Sequence, residues 1–272
     1  QTAAQIDRII LEQGSPLHGG VVDQYFQTVD EKILIEQVQG ALNEYAAMIR
    51  DQVLNHDRID ILAEEILGYT LEEHHRQILA SQQVPVDGKQ MTLAFRGAGK
   101  STVGTISRVI FEILKNPNIR ILIASNTQIQ AEIFMREIRN HFEANDKLRE
   151  IFGDYVGNKW DAREIIVKGR TKPHKEATVT CIGVGGPTAS RHYDLILGDD
   201  LADEENSRTE LQRERLWTWY MKSLVPTLVA TGRIFILGTR WHPHDLYGTL
   251  LKNTPSMQVC VIPAIKEDGR SE

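Results

Sequence analysis

The stretch "MTLAFRGAGKSTVGTI", residues 91–106, decides how this chain is read. A short apolar run passes into a loop with glycines at 97 and 99. The loop ends in Lys100 and Ser101, and residues of helical character follow. The pattern G-x-x-x-x-G-K-[ST] between a strand and a helix is a phosphate cradle. Ala94, Phe95, Arg96, Gly97, Ala98, Gly99, Lys100 and Ser101 match it at every position but the first, where alanine replaces glycine. The chemistry lies at the other end of the loop. Gly99 lets backbone N–H groups come close to phosphate oxygens. Lys100, expected to stand exposed, reaches the β- and γ-phosphates, and the Ser101 hydroxyl suits magnesium. The helix N-terminus, entered at Thr102, adds its positive dipole. Arg96 is a further cation within the loop, either a solvated side chain or a sensor of the γ-phosphate.

Such a loop needs an acidic strand tip beside it, and "YDLILGDDLADEEN" (193–206) offers one. Leu195, Ile196 and Leu197 read as the strand and Asp199 as the magnesium-site acid. Asp200 follows where a carboxylate can orient and polarise an attacking water. Asp203, Glu204 and Glu205 read as favourable charge at a helix start. Glu204 or Glu205 remains an alternative to Asp200 as the base.

From residue 91 onward, β-like runs alternate with helical stretches. The runs are 91–95, 119–125, 177–184, 193–199, 233–239 and 258–264, with helices expected at about 100–115, 127–145 and 207–223. Several runs are apolar throughout, as in strands covered on both faces. The alternation predicts a largely parallel sheet wrapped by helices. Upstream, residues 1 to about 80 read as helix. Ile33, Ile35, Val38, Leu42, Tyr45 and Met48 recur at mostly helical spacing. Gly40 is a blemish there, not a stop. Thr70 and Glu73 have the spacing of a capping box, and "QQVPVDGKQ" (82–90) reads as a turn.

The totals set bounds. The chain has 272 residues, 41% of them hydrophobic and 25% charged, which suits one large α/β domain with a helical appendage. No apolar run approaches the length of a membrane span, so no membrane partner is expected. The net charge of −6 argues against a stand-alone tight DNA binder. Lys168, Arg170, Lys172, His174 and Lys175 form one local basic cluster, a solvated loop or a transient DNA contact. Cys181 and Cys260 read as buried thiols in a reducing setting. His242 and His244 lack the partners of a zinc site.

Several segments together resemble the ATPase domain of the large terminase subunit of tailed double-stranded DNA bacteriophages. They are "FRGAGKST" (95–102), "SNT" (125–127), "GGPTASRHYDLILGDDLADEENS" (185–207), "ILGTRWHPHDLYG" (236–248) and "LEEHHRQIL" (71–79). The similarity runs from about 60 to 265. It implies an α/β P-loop NTPase of the ASCE type, with a mostly parallel central sheet and an N-terminal helical extension. The expected divisions are an extension at 1–57, the ATPase domain at 58–265, and at 266–272 the start of a linker to a nuclease domain. The chain begins at Gln1, as a fragment would, and nuclease activity is not expected of it.

The resemblance also implies ATP and Mg²⁺ as cofactors. Arg191 would be an arginine finger reaching a neighbouring subunit, against the alternative of a surface arginine paired with Asp194. Thr239 would report loss of the γ-phosphate through the attacking water or an acidic-strand carboxylate. Adenine contacts would come from His75, Arg76 or Gln77. The implied partners are double-stranded viral DNA, portal protein and the small terminase subunit. Self-association would give a ring, a pentamer on the capsid and a monomer in isolation, in the host cytoplasm during virus assembly. The rival readings are another P-loop enzyme, such as a helicase-type translocase or small-molecule kinase, and a nucleotide-binding module that does not hydrolyse. Against the last stands the pair Asp199–Asp200, since a passive binder does not need the second carboxylate.

Overall fold

The structure is a computed structural model describing residues 31–83 and 88–264, with side chains from Ile35 onward. The readings of residues 1–30, of the turn at 84–87 and of the linker at 265–272 lie outside the described residues. The chain divides into two compact units, residues 1–48 and 49–272.

Helix α1 spans Glu31–Asn55 and runs through Gly40 without a break. Glycine costs roughly 1 kcal/mol against alanine within a helix, and the surrounding Glu, Gln, Leu and Ala residues offset that. In the first unit its apolar face is exposed, with Ile35, Val38, Leu42, Tyr45 and Met48 all open to solvent. In the second unit Ile49 and Val53 of the same helix are buried. After a helical turn at 59–66, helix α2 covers Glu73–Ser81. Its cap is Glu72, not the expected Thr70. Leu71 takes a buried position just ahead of the helix, and the helix starts only after it.

The sheet has eight strands: β1 Lys89–Ala94, β2 Ile121–Ser125, β3 Lys159–Trp160, β4 Glu164–Ile166, β5 Val179–Gly183, β6 Tyr193–Asp199, β7 Leu228–Gly238 and β8 Gln258–Ile262. Their order is β3-β4-β5-β2-β6-β7-β1-β8. From β5 to β8 all pairings are parallel, and β3 and β4 add an antiparallel edge. The longer helices are α3 Arg108–Lys115, α4 Gln128–Ala144, α5 Asp146–Phe152, α6 Glu210–Trp219 and α7 Leu246–Asn253.

The apolar runs explain the interior. Ile121 to Ser125 and Val179 to Gly183 are buried at every position. Burying one Val, Leu or Ile side chain contributes about 1.5–3 kcal/mol, so these strands are held centrally by both faces. The last run differs: β8 is an edge strand with Val259 and Val261 exposed and Cys260 only half-buried.

One buried ion network locks α3 against β7. The Arg108 guanidinium donates to Gln82 and Glu112, and Glu112 also accepts from Arg233 of β7. Burial lowers the Arg108 pKa to about 10, so it remains a cation at neutral pH.

The register matters most for function. Leu93 of β1 pairs with Gly238 of β7, Asp199 of β6 with Leu237, and Ser125 of β2 with Asp199. Four parallel strands therefore end level with one another, and the loops after them share one edge. In open parallel sheets ligands bind at that carboxyl edge.

Candidate nucleotide-binding site

The loops after β1, β2, β6 and β7 enclose a cleft of ≈310 Å³, lined among others by Arg96, Lys100, Asn126, Asp200, Thr239 and Trp241. Residues more than a hundred positions apart in sequence thus face one space.

The phosphate loop has the backbone its glycines predict. Gly97 has φ 89° and Gly99 φ 61°, in the left-handed region that costs other residues roughly 1–2 kcal/mol. Ala94 ends β1 with no positive φ, packed in a cluster with Ile78, Ala98, Leu237 and Ile262. Alanine is therefore tolerated at the first position of the pattern. The Ala94 carbonyl accepts a hydrogen bond from Thr239 Oγ1 at 3.0 Å, which ties the loop's start to the end of β7.

Lys100 corrects an expectation: it is 7% exposed rather than standing in solvent. Its Nζ lies 2.9 Å from Asp200 Oδ2. Asp200 has φ 46° and its N–H donates to the Leu237 carbonyl. The chain thus bends just after Asp199, sending the two neighbouring carboxylates different ways.

Asp199 points into the protein and is fully buried. It accepts hydrogen bonds from Ser101 Oγ at 2.9 Å and Thr105 Oγ1 at 2.5 Å. Burial pushes its pKa up to about 6, and the Asp200 charge adds to the rise; Thr105, Lys100 and Ser101 oppose it. A carboxylate beside a hydroxyl is a hard-oxygen pair, suited to Mg²⁺, which binds through one or two carboxylates together with substrate phosphates and water. Among the described residues no cluster of three or more His, Cys, Asp or Glu makes a protein-only metal cage. Ser101 and Asp199 thus fit a cation shared with a phosphate. His242 and His244 contact each other instead, the His244 N–H donating to His242 Nδ1.

Around this centre the acids divide by role. Asp203 caps the short helix Glu204–Ser207 and also accepts from Asn126 Nδ2 at 2.5 Å, joining the end of β2 to the loop after β6. Glu204 and Glu205 are exposed on that helix, while Asp200 lines the cleft.

Arg191 lies elsewhere. It lines a second cleft, of ≈390 Å³, with the loop Gly185–His192 and Lys222. Its Nη1 donates to Glu164 Oε1 at 2.6 Å. Asp194, the expected surface partner, is taken by Arg120, which donates to both its oxygens at 2.9 and 2.8 Å. The reason is register: Asp194 opens β6 beside the start of β2, where Arg120 stands. Among the residues considered for adenine, Arg76 pairs with Glu64 and Gln77 with Glu73, while His75 packs against Gly99. In the basic cluster, Lys168 pairs with Asp154, Arg170 donates to the carbonyls of Lys172 and Glu176, and Lys175 to that of Ser190.

Sequence reasoning missed Thr105 and Asp245. Thr105 stands four residues after Ser101, one helical turn away, and that spacing was the available signal. Asp245 is fully buried and accepts from the backbone N–H groups of Trp241, His242 and Gly248. It shapes the turn that carries Trp241 into the cleft. Its position ahead of an apolar helix marked it as a cap.

No protein-family model matches the chain. A large terminase subunit of Enterobacteria phage T3 is 30% identical over 195 residues. The match covers 68% of this chain and 31% of that relative, so the chain spans about a third of its length. Among solved structures, the large terminase ATPase domain of Thermus phage P74-26 is similar at TM-score 0.51 and 17% identity, over 74% of this chain and 84% of that one. A point mutant of the same domain gives a TM-score of 0.54 at the same identity and coverage.

Proposed function

Because the chain resembles a phage large terminase subunit in sequence and has the fold of large terminase ATPase domains, we propose that it is the ATPase motor of a DNA-packaging terminase. In this reading it hydrolyses Mg-ATP to move double-stranded viral DNA into a procapsid. The observation that carries the reading is the joining of the phosphate loop to the acidic strand tip. Ser101 and Thr105 bond Asp199 while Lys100 pairs with Asp200, all at one edge of the sheet.

Each residue then has a task. The amides of residues 97–101 and the dipole of the following helix take the phosphate oxygens. Lys100 leaves Asp200 for the β- and γ-phosphates. That exchange frees the Asp200 carboxylate to accept a proton from water as the base. Asp199 and Ser101 hold Mg²⁺, which when bound neutralises charge on the phosphates. Arg96 lies on the cleft wall where it can meet the γ-phosphate. Arg191 lines a different cleft from Lys100, which supports its use by a neighbouring subunit in a ring, where it stabilises charge on the transferring phosphoryl group. Thr239 bridges the loop and β7, so a change at the phosphates reaches the strand that carries motion outward. Residues 58–265 form the motor domain, with 1–57 an extension and 266–272 a linker. Portal protein and the small terminase subunit are its partners, in the host cytoplasm during assembly.

Steady-state phosphate release, with and without double-stranded DNA, tests this. A packaging motor releases phosphate from ATP and responds to DNA. Tight ATP binding with no phosphate release would leave a passive nucleotide module, and release that requires a small-molecule acceptor would leave a kinase.

A further inference from the structure

The two clefts differ in charge. The nucleotide cleft sets Arg96 and Lys100 against Asp200 and Asp203. The second cleft is lined by Arg191, His192 and Lys222, and none of its lining residues is Asp or Glu. It is a cationic recess in a chain of net charge −6. Glu164, outside that lining, does not cancel the excess, because it is shared. Its Oε1 accepts from Arg191 at 2.6 Å and its Oε2 from Lys159, so one carboxylate serves two cations. Lys222 is exposed and has no ion-pair partner among the described residues. The fold holds the recess in shape. Trp219 ends α6, and Lys222 stands three residues on, in the π-helical turn Tyr220–Leu224. Thr188 Oγ1 donates to the Ser223 carbonyl at 3.0 Å, pinning the loop Gly185–His192 to that turn, and Lys175 Nζ donates to the Ser190 carbonyl at 3.0 Å. Trp219, which also lines the cleft, is 9% exposed, and its indole Nε1 is buried with no acceptor among the described residues. Buried donors are almost always paired, so a donor left over in the wall of a cationic cleft marks a place for an acceptor that a ligand brings.

We propose that this cleft is a second phosphate site, in which Lys222 and Arg191 hold the oxyanion and the Trp219 indole N–H donates to it. A phosphate supplies both things the lining does not: negative charge between two cations, and oxygen acceptors for N–H donors. Arg191 keeps the geometry for it. Both of its hydrogen bonds, to Glu164 and to Tyr193, leave from Nη1. The Nε–Nη2 edge of the guanidinium therefore remains for a bidentate contact, the form in which arginine grips phosphate, while lysine acts beside it as a point charge. Two sources carry such a group: the nucleotide of a neighbouring subunit, on the reading above in which Arg191 acts across the boundary, and the backbone of duplex DNA.

The test uses the tryptophans. The chain has four, and each cleft is lined by one of them, Trp219 here and Trp241 at the nucleotide cleft. Their indole N–H signals, assigned with Trp219→Phe and Trp241→Phe, are followed by nitrogen-15 NMR. Inorganic pyrophosphate or a short DNA duplex is added to the 272-residue chain and to its Lys222→Gln variant, which keeps the fold because Lys222 is exposed. Pyrophosphate is expected to move the Trp219 signal along a saturating curve. Lys222→Gln is expected to weaken that binding by about 2- to 5-fold, the range of a solvent-open ion pair, and to leave the Trp241 curve as in wild type. A Lys222-dependent shift with the duplex makes the DNA backbone the source; one with pyrophosphate alone makes it the nucleotide. A Trp219 signal moved by neither ligand, or moved with equal affinity in Lys222→Gln, overturns the proposal. A Trp241 signal that stays still would instead count against the nucleotide site, and the second cleft would still be judged by Trp219.

Discussion

Replacing Asp199 by asparagine is expected to abolish turnover and yet stabilise the protein when no metal is bound. The carboxyl is fully buried, and its pKa is moved from 3.8 to about 6. At about 1.4 kcal/mol per pH unit, that shift costs the folded state about 3 kcal/mol at neutral pH. The sign follows from where the proton sits. Below pH about 4 the carboxyl is protonated in both folded and unfolded chains, and no penalty exists. Between about 4 and 6 the unfolded chain ionises first, so stability falls as pH rises. Above about 6 both are ionised, and the penalty stays constant. Asparagine carries no charge and removes it. Ser101 and Thr105 both donate to the carboxylate, so with an amide one hydroxyl must turn to accept, an offset of about 1 kcal/mol. The net gain is about 2 kcal/mol, which for a protein of this size raises Tm by about 4 to 8 °C. Thermal unfolding in EDTA followed by circular dichroism reads it directly. The gain should appear at pH 7.5 and fall below about 1 kcal/mol at pH 5. A variant that melts at or below wild type at pH 7.5, or whose gain does not change with pH, would refute the reasoning.

Lys100→Ala is expected to fold, because Asp200, the carboxylate it strands, is 40% exposed, and to lose ATP turnover; near-normal phosphate release from the folded variant would remove the phosphate-loop assignment. Gly99→Ala combines a φ of 61° with the 2.6 Å approach of His75. It should weaken nucleotide binding at least about tenfold, given an αL cost of roughly 1–2 kcal/mol, and calorimetric affinity equal to wild type would contradict that. Arg191→Ala should leave nucleotide affinity intact while lowering turnover of an assembled ring by about 10³ or more. Mixing Arg191→Ala with Lys100→Ala subunits should restore some activity, since a Lys100→Ala subunit lends its arginine to a neighbour with an intact loop. Mixed rings with no recovery would exclude a role across the subunit boundary.

Local chemistry in the sequence determined the parts of this protein. The glycine turn between β1 and the helix after it was legible because its residue types stand at fixed spacing within eight positions, and Gly97 and Gly99 adopt the positive φ that such a turn requires. The acidic strand and the alternation of strands with helices were legible because period and apolar run length report burial. Cys260 reads as a buried thiol like Cys181, yet it is only half-buried, because β8 lies at the sheet edge and an apolar run there has the same composition as a central one. Partnerships were decided only by tertiary structure. Nothing near Asp199 in the chain indicates that Ser101 and Thr105 bond it, and nothing near Leu93 indicates that Gly238 pairs with it. Lys100 was expected in solvent because loops are usually exposed. It is buried because β7 and β6 bring Asp200 over it. Arg191 was weighed against Asp194, three residues away, yet its partner is Glu164, brought near by the β4–β5 pairing. In each case the deciding neighbour lies far along the chain, and only packing of the whole sheet sets which side chains meet.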